Sequence, residues 1–553
     1  MTICISAFNI SLVLLLGLSG IVTRPVAAQP AAAQPAATQP ATQEAVATGV
    51  PVRPVLYRKN IDDLSKKELA AFEHAFSRLK KKSQANIYDR TGFIWHAWIH
   101  NCPSVDVPDT RSKPLPGDGL KKLLANGTID SCNPRNFVAF AASEKLHVEN
   151  PGQCEHRKNI FLQWHRAELY FFEQALRAAD PAGKFGPSTK DVTLPYWNFT
   201  KKPTGKRYPK AFENPKSPLF DVNRYQDPLP SSLPTASPYL LAYLIYYQDW
   251  ATFGGNQLGG VGQGNLETKI HNLMHNDYIG GKMQDNTKAA MDPIFYVFHN
   301  FLDYALEQWI EEHGADAIPA GSGRDDYLRA QQDGGLRKPV GFDEGNSDPK
   351  QPGWGDYTNN MGRAALYFDT RKQGFAFADK AGELIPKATI AALIEQHQAA
   401  GFEFAKGPIS LMSALLSYGS STAVATPDLK LNGTYLIPAQ PVSGGTARLR
   451  FTRSSSKDYS FRADVYLYPQ GTPEEIAKQE FRDRYLVTNT AHWGLSYKQA
   501  GADLMLDENV TAIVNSLVAQ KQGQTWNLTV AISGSKEANF NDFSLPAITV
   551  QAQ

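Results

Sequence analysis

The chain has 553 residues, 42% hydrophobic and 20% charged, the composition of a soluble globular protein too long for one ordinary core. Its 56 basic and 54 acidic side chains leave a formal net charge of +2, so no long-range field draws it to nucleic acid or to an anionic membrane. Small neutral or weakly acidic molecules are the better-matched partners.

Residues 1–28 read as an export signal. An apolar run from Ile10 to Val22 precedes Val26, Ala27 and Ala28, small enough for a signal peptidase, although no Lys or Arg stands ahead of the run. The run is short for spanning a bilayer, so the expectation is a secreted or periplasmic protein with no membrane attachment after cleavage. Residues 29–50 hold QPAAAQPAATQPATQ, a Pro, Ala and Gln tract that cannot bury a core and reads as a disordered linker. Of four cysteines, Cys4 leaves with the signal. Cys102, Cys132 and Cys154 then permit one disulfide and one unpaired thiol, and the plain reading pairs Cys102 with Cys132.

From residue 53 onward the pattern is helical. Over 61–82, Leu64, Leu69, Phe72, Phe76 and Leu79 fall on one stripe, with Asp62 or Ser65 as candidate N-cap. HAWIH spaces His96 and His100 by four, and Asn101, Cys102 and Pro103 end that helix, which favours His100 over His96 as a residue turned toward a bundle axis. Residues 159–179 repeat the helical period with Phe161, His165, Phe172 and Leu176, while His156 falls on the loop before. In ETKIHNLMH, His271 and His275 project from one helix face about 6 Å apart along the axis, and Glu267 lies one turn earlier. No Glu follows the first of these histidines, as a zinc peptidase would need. Asp292 and Pro293 suit an N-cap and first helical position, after which Phe295, His299, Leu302, Leu306 and Ile310 line one face. The remaining histidines, His74, His147, His313, His397 and His492, stand alone. Past Tyr418 the period becomes two, and 447–453, 461–469, 525–533 and 546–552 read as strands of a β-sandwich.

Six histidines thus stand ready in two sets of three. Imidazole ligands without carboxylate favour copper over harder ions and leave a position open for a small molecule such as dioxygen. A zinc or iron hydrolase on a helical bundle is disfavoured by the same lack of carboxylate.

These residues resemble the tyrosinases and polyphenol oxidases, type-3 copper proteins that also include molluscan haemocyanin. H…FLxWHRxEL…FE matches His156 through Glu173, ExxxHNxxH matches Glu267 through His275, and GGxM…DPxFxxxHxxxD matches Gly280 through Asp303. Residues 55–72 look like the family's opening helix, and PYWNF at 195–199 resembles its PYWDW. The resemblance covers about 55–420.

It implies a mainly α fold: a four-helix-bundle dicopper catalytic domain over 51–420, followed by a C-terminal β-sandwich shielding domain over 430–553. It implies two copper ions, one on His100, His156 and His165 and one on His271, His275 and His299, with O2 as co-substrate. Small phenols are then the substrates, o-diphenols being oxidised to o-quinones and monophenols hydroxylated first. The resemblance further implies a Cys154–His156 thioether and a water ordered by Glu267 and Asn272 to deprotonate phenol. Asn286 and Phe295 are candidate substrate gates. The sequence departs from the family at Phe298, where His is common, at Asn198 for Asp, and at Asn286 for a small apolar gatekeeper. A catechol or o-aminophenol oxidase without monophenolase activity remains the alternative, as does, from another class, a haemocyanin-like oxygen carrier. A homo-oligomer is compatible with all of these.

Overall fold

A computed structural model of the chain describes residues 55–85, 89, 91–100, 154, 156, 161–201, 208–225, 237–255, 263–286, 288–318, 370–371, 374–378, 382–399, 429–436, 442–453, 461–493, 503–520, 525–533 and 543–552. The export signal, the linker, and Cys102 with Cys132 lie outside these residues.

Strand β1 (Leu56–Arg58) pairs in parallel with β2 (Phe375–Phe377). Helix α1 covers Lys66–Ala85. Ser65 is its cap rather than Asp62: the Ser65 hydroxyl accepts from the Glu68 N–H at 3.2 Å while the Glu68 carboxylate accepts from the Ser65 N–H at 2.8 Å. This reciprocal box satisfies two N-terminal donors at once. Asp62 instead belongs to a separate 3-10 turn, Ile61–Asp63.

Helices α2 (Phe93–His100), α3 (Phe161–Arg177), α4 (Pro238–Tyr247) and α5 (Ile294–His313) contribute to one apolar core with α1. α5 begins one residue later than the sequence reading, yet Asp292 still caps it, accepting from the Ile294 N–H at 3.0 Å. Phe172 of α3 stacks on Tyr296 of α5 with centroids 3.6 Å apart. Burial along most of α3 leaves several of its charges paired. Arg166 donates to Asp303 and Glu307, and Glu173 accepts from Arg58 and Arg177. Arg58, fully buried, also donates to Asn300 and Asp303, tying β1 to α3 and α5.

The segment bearing His271 and His275 is helical but π-wound, over Leu266–His271 and Met274–Ile279. Spacing by four is compatible with either winding, so the sequence reading could not separate them. Such wide turns recur at functional sites.

Beyond residue 428 the described chain is mostly strand. β3 (Leu429–Leu436), β8 (Thr525–Ser533), β5 (Phe461–Pro469) and β6 (Leu486–His492) form one antiparallel sheet in that order. β7 (Asp503–Asn509), β4 (Gly445–Arg453) and β9 (Ala547–Ala552) form another. Leu449 and Phe451 of β4, Val465 and Leu467 of β5, Val530 of β8 and Val514 of helix α6 (Thr511–Gln520) share a second apolar core. β3, β6, β7 and α6 were not among the expected elements. β6 is buried along its whole length and shows no polar–apolar alternation, the signal the reading relied on.

β6 stands at the end of its sheet, an edge that natural proteins cover. Here the π-wound segment covers it. Lys269 donates to the Asn489 carbonyl, Asn272 Nδ2 to the Ala491 carbonyl at 2.7 Å, and Asn276 Nδ2 to the His492 carbonyl at 2.9 Å. Lys269 also pairs with Glu508, and Arg462 with Asp277. Pro54–Gln553 accordingly form one compact unit.

Candidate metal centre

His100 ends α2, His165 sits on the second turn of α3, and His156 precedes α3. The Cys154 N–H donates to the His100 carbonyl at 2.7 Å, which holds Cys154 at the end of α2. His271, His275 and His299 come from the π-wound segment and α5, and their ligating atoms lie within 4.8 Å of one another. The two triads face each other. His165 stacks on His299 with centroids 4.5 Å apart, and His156 lies 5.2 Å from His271. All six are buried. His96 is not among them. It turns away against Phe172 at 5.4 Å, and burial pushes it down to about 3.

The other ring nitrogens explain which atom points inward. Nδ1 of His165 hydrogen-bonds the Phe161 carbonyl at 2.7 Å, Nδ1 of His275 the Met283 carbonyl at 2.7 Å, and Nδ1 of His271 the Asn272 side-chain oxygen at 2.8 Å. Each bond to an oxygen fixes Nδ1 as the protonated nitrogen and leaves the Nε2 lone pair free.

The residues present fit metal ions. Nε2 of His100, His156, His165 and His271 is buried without a hydrogen-bond partner, a costly state for a polar atom unless an ion meets it. Nε2 of His275 and His299 stand 3.3 Å apart. Two nitrogens bound to one ion at about 2 Å in roughly tetrahedral geometry stand about that far apart. Burial first, then the charge of neighbouring imidazoles, holds His100, His156, His271, His275 and His299 well below the ordinary histidine value, and burial holds His165 at about 3. All six imidazoles are therefore neutral at neutral pH.

Of the other residues singled out from sequence, Phe295 lies over the pair, 4.5 Å from His100 and 4.2 Å from His299 by ring centroids. Asn286 is buried with its backbone against His100. Glu267 is buried on the first π turn. Asn272 contacts His271, and its amide is taken by Ala491 of β6. Cys154 Sγ is 2.9 Å from His156 Nδ1. Asn198 donates to Glu383 and accepts from Thr200, a structural knot away from the triads. Phe298 packs on His271 and His275 at 5.8 Å and 5.3 Å.

Two residues escaped the sequence reading. Trp493, immediately after β6, stacks on His275 at 3.9 Å and stands 4.7 Å from His156 and 5.3 Å from His271. Its Nε1 donates to the Met283 carbonyl at 2.9 Å, the same oxygen that His275 uses. Nothing local marks it beyond the β-branched run VTNTAHW, which could have announced a strand. Glu168 lies with His100 and His165, one potential ligand atom of each within 4.8 Å of the others. Its signal was the His-x-x-Glu spacing, one turn on the same helix face.

Residues 134–231 and 220–312 match the family described as the common central domain of tyrosinase. Tyrosinase HcTyr1 of Hahella sp. (strain CCB-MM4) is 30% identical over 184 residues, 29% of this chain and 38% of that protein. Hemocyanin G-type, units Oda to Odg, of Enteroctopus dofleini is 24% identical over 276 residues, 46% of this chain and 8% of that protein. The chain thus spans less than half the length of either curated relative. Among solved structures, a latent aurone synthase (polyphenol oxidase) from natural source aligns with a TM-score of 0.52 over 91% of this chain and 90% of that one at 14% identity, a likeness of fold.

Proposed function

We propose, from the premise that this chain belongs to the tyrosinase and polyphenol oxidase family, that it is a type-3 copper oxidase of phenols, exported from the cytoplasm and kept latent by its C-terminal strands. One copper is held by His100, His156 and His165 (the A half), the other by His271, His275 and His299 (the B half). The observation that carries the reading is the buried triad His271, His275 and His299, whose ligating atoms lie within 4.8 Å of one another, facing the buried rings of His100, His156 and His165, whose centroids lie 5.2–6.0 Å apart. Bound copper supplies the one-electron redox chemistry by which O2 oxidises o-diphenols to o-quinones and hydroxylates monophenols.

The protein's own part is orientation, exclusion and proton handling. Nδ1 bonds to Phe161, Asn272 and Met283 hold three imidazoles in one tautomer. The 2.9 Å separation of Cys154 Sγ from His156 Nδ1 supports a thioether that would fix this loop ligand. Glu267 and Asn272 order the water that takes the phenol proton. Phe295 and Asn286 border the substrate. With β6 docked, Trp493 covers His275 and the Asn272 amide is engaged by Ala491, which supports a latent state on both counts. The helices around the triads are read as the family's four-helix bundle, and the two sheets as its β-sandwich shield. Among the described residues no helix is long and apolar enough to cross a membrane.

The test is copper loading followed by turnover. Full-length protein should take up two equivalents and, once opened by limited proteolysis near 420–435, oxidise catechol. His275→Ala should abolish quinone formation. Uptake of one equivalent, or quinone formation surviving in His275→Ala, would overturn the assignment. Tyrosine assayed beside its ortho-hydroxylated analogue separates a tyrosinase from a catechol or o-aminophenol oxidase. The haemocyanin relative supports a second reading, an oxygen carrier, which reversible O2 uptake without quinone in the opened protein would establish.

A further inference from the structure

The A half of the cavity holds a donor that the copper reading does not use. Glu168 follows His165 by one turn of α3, is 2% exposed, and has no hydrogen-bond partner at either carboxylate oxygen. One of its oxygens and a ring nitrogen from each of His100 and His165 all lie within 4.8 Å of one another. The Nε2 atoms of both histidines likewise have no hydrogen-bond partner. A buried carboxyl without a hydrogen-bond partner beside two imidazoles with unpartnered ring nitrogens is a set of side chains apt to ligate a cation. A proton on the carboxyl could serve one imidazole nitrogen, whereas a cation satisfies all three groups together.

We propose that His100, His165 and Glu168 form a second, carboxylate-bearing metal set in the A half, which takes zinc where His100, His156 and His165 take cuprous copper. The two sets share two imidazoles and exchange His156 for Glu168, so the A half binds one ion or the other. Two imidazoles and one carboxylate are a familiar set for zinc, and they leave a position open. A neutral three-imidazole set suits a soft singly charged ion. A dication among these buried side chains gains from one negative ligand, because charge is screened little there. Tyr296, whose buried hydroxyl also has no hydrogen-bond partner, offers no competing fixed partner for Glu168. The expectation that no carboxylate belongs to the ligand sets is thereby revised for the A half.

The experiment is metal titration of the full-length apoprotein against a chromophoric chelator, with zinc alone and with cuprous copper alone. Wild type should bind two zinc equivalents. Glu168→Gln should weaken one of them by about tenfold or more and change cuprous affinity by less than about threefold. His156→Ala should do the reverse. An unchanged zinc isotherm in Glu168→Gln, or an equal loss of zinc in His156→Ala, overturns the proposal. Anomalous scattering at the zinc edge from zinc-soaked wild-type crystals tests it without a variant: an A-half peak within bonding distance of Glu168 supports it, and one bonded to His156 instead refutes it. Since the readout is binding without turnover, copper-loaded protein inactive on catechol would sink the oxidase reading and leave this result standing.

Discussion

Replacing Trp493 by alanine removes an indole that is 3% exposed and stacks on His275 at 3.9 Å. A buried aromatic side chain hides roughly 200 Å2, which at about 25 cal/mol per Å2 is worth about 5 kcal/mol. Its N–H bond to the Met283 carbonyl adds about 1 kcal/mol. Displacing the ring for a substrate therefore costs at most about 6 kcal/mol, or about four decades at 1.4 kcal/mol each. That area is an upper bound, and a displaced indole keeps some contacts elsewhere. The expected rise in kcat/KM for catechol is accordingly about 100-fold in Trp493→Ala. Trp493→Phe keeps most of the apolar area and loses the N–H bond, so about 1 kcal/mol, or roughly fivefold, is expected. The assay is quinone formation by copper-loaded proteins of equal metal content, at a temperature where both are folded, because a Trp→Ala change in a core also costs about 3–5 kcal/mol of stability. A folded Trp493→Ala protein with two coppers and kcat/KM within about twofold of wild type would refute the view that this ring bars the site.

The dock itself is testable at Lys269, which is 1% exposed and donates to Thr488, Asn489 and Glu508. Lys269→Ala should cost about 1–3 kcal/mol, because bonds from a charged donor are lost while Glu508, 23% exposed, regains water, and should raise basal catechol oxidation at constant copper content; unaltered unfolding and unaltered latency would speak against it. Arg58→Ala should lower apoprotein stability by about 3–5 kcal/mol in a denaturant titration, since Glu173 and Asp303 stay buried, and a loss below about 1 kcal/mol would contradict that account. Intact mass of copper-loaded wild type should fall short by two hydrogens beyond any disulfide, and Cys154→Ser should restore them; equal deficits in both proteins exclude a Cys154 thioether.

Helices and the histidines they carry were readable because their signal is local. His165 and Phe172 repeat at the helical period, and Ser65 with Glu68 forms a box visible within four residues. The π winding around His271 was not readable, since residues four apart share a face in either helix. Strands β4, β5, β8 and β9 carried enough β-branched and aromatic residues to be seen. β6 hides polar side chains against another part of the chain, so its burial inverts the usual pattern.

The amino-acid sequence on its own determined which six imidazoles are present, on which helices and loops they sit, and that they are apt for soft metal. It could not determine what those groups face. Trp493 meets His275 across 218 residues of chain, and Lys269 meets Glu508 across 239. Contacts of that separation leave no periodicity in either partner, because they arise only when segments distant in sequence pack together. The same holds within one helix for Glu168. Its spacing from His165 is local, but the lack of any hydrogen-bond partner for it is a property of the packed interior.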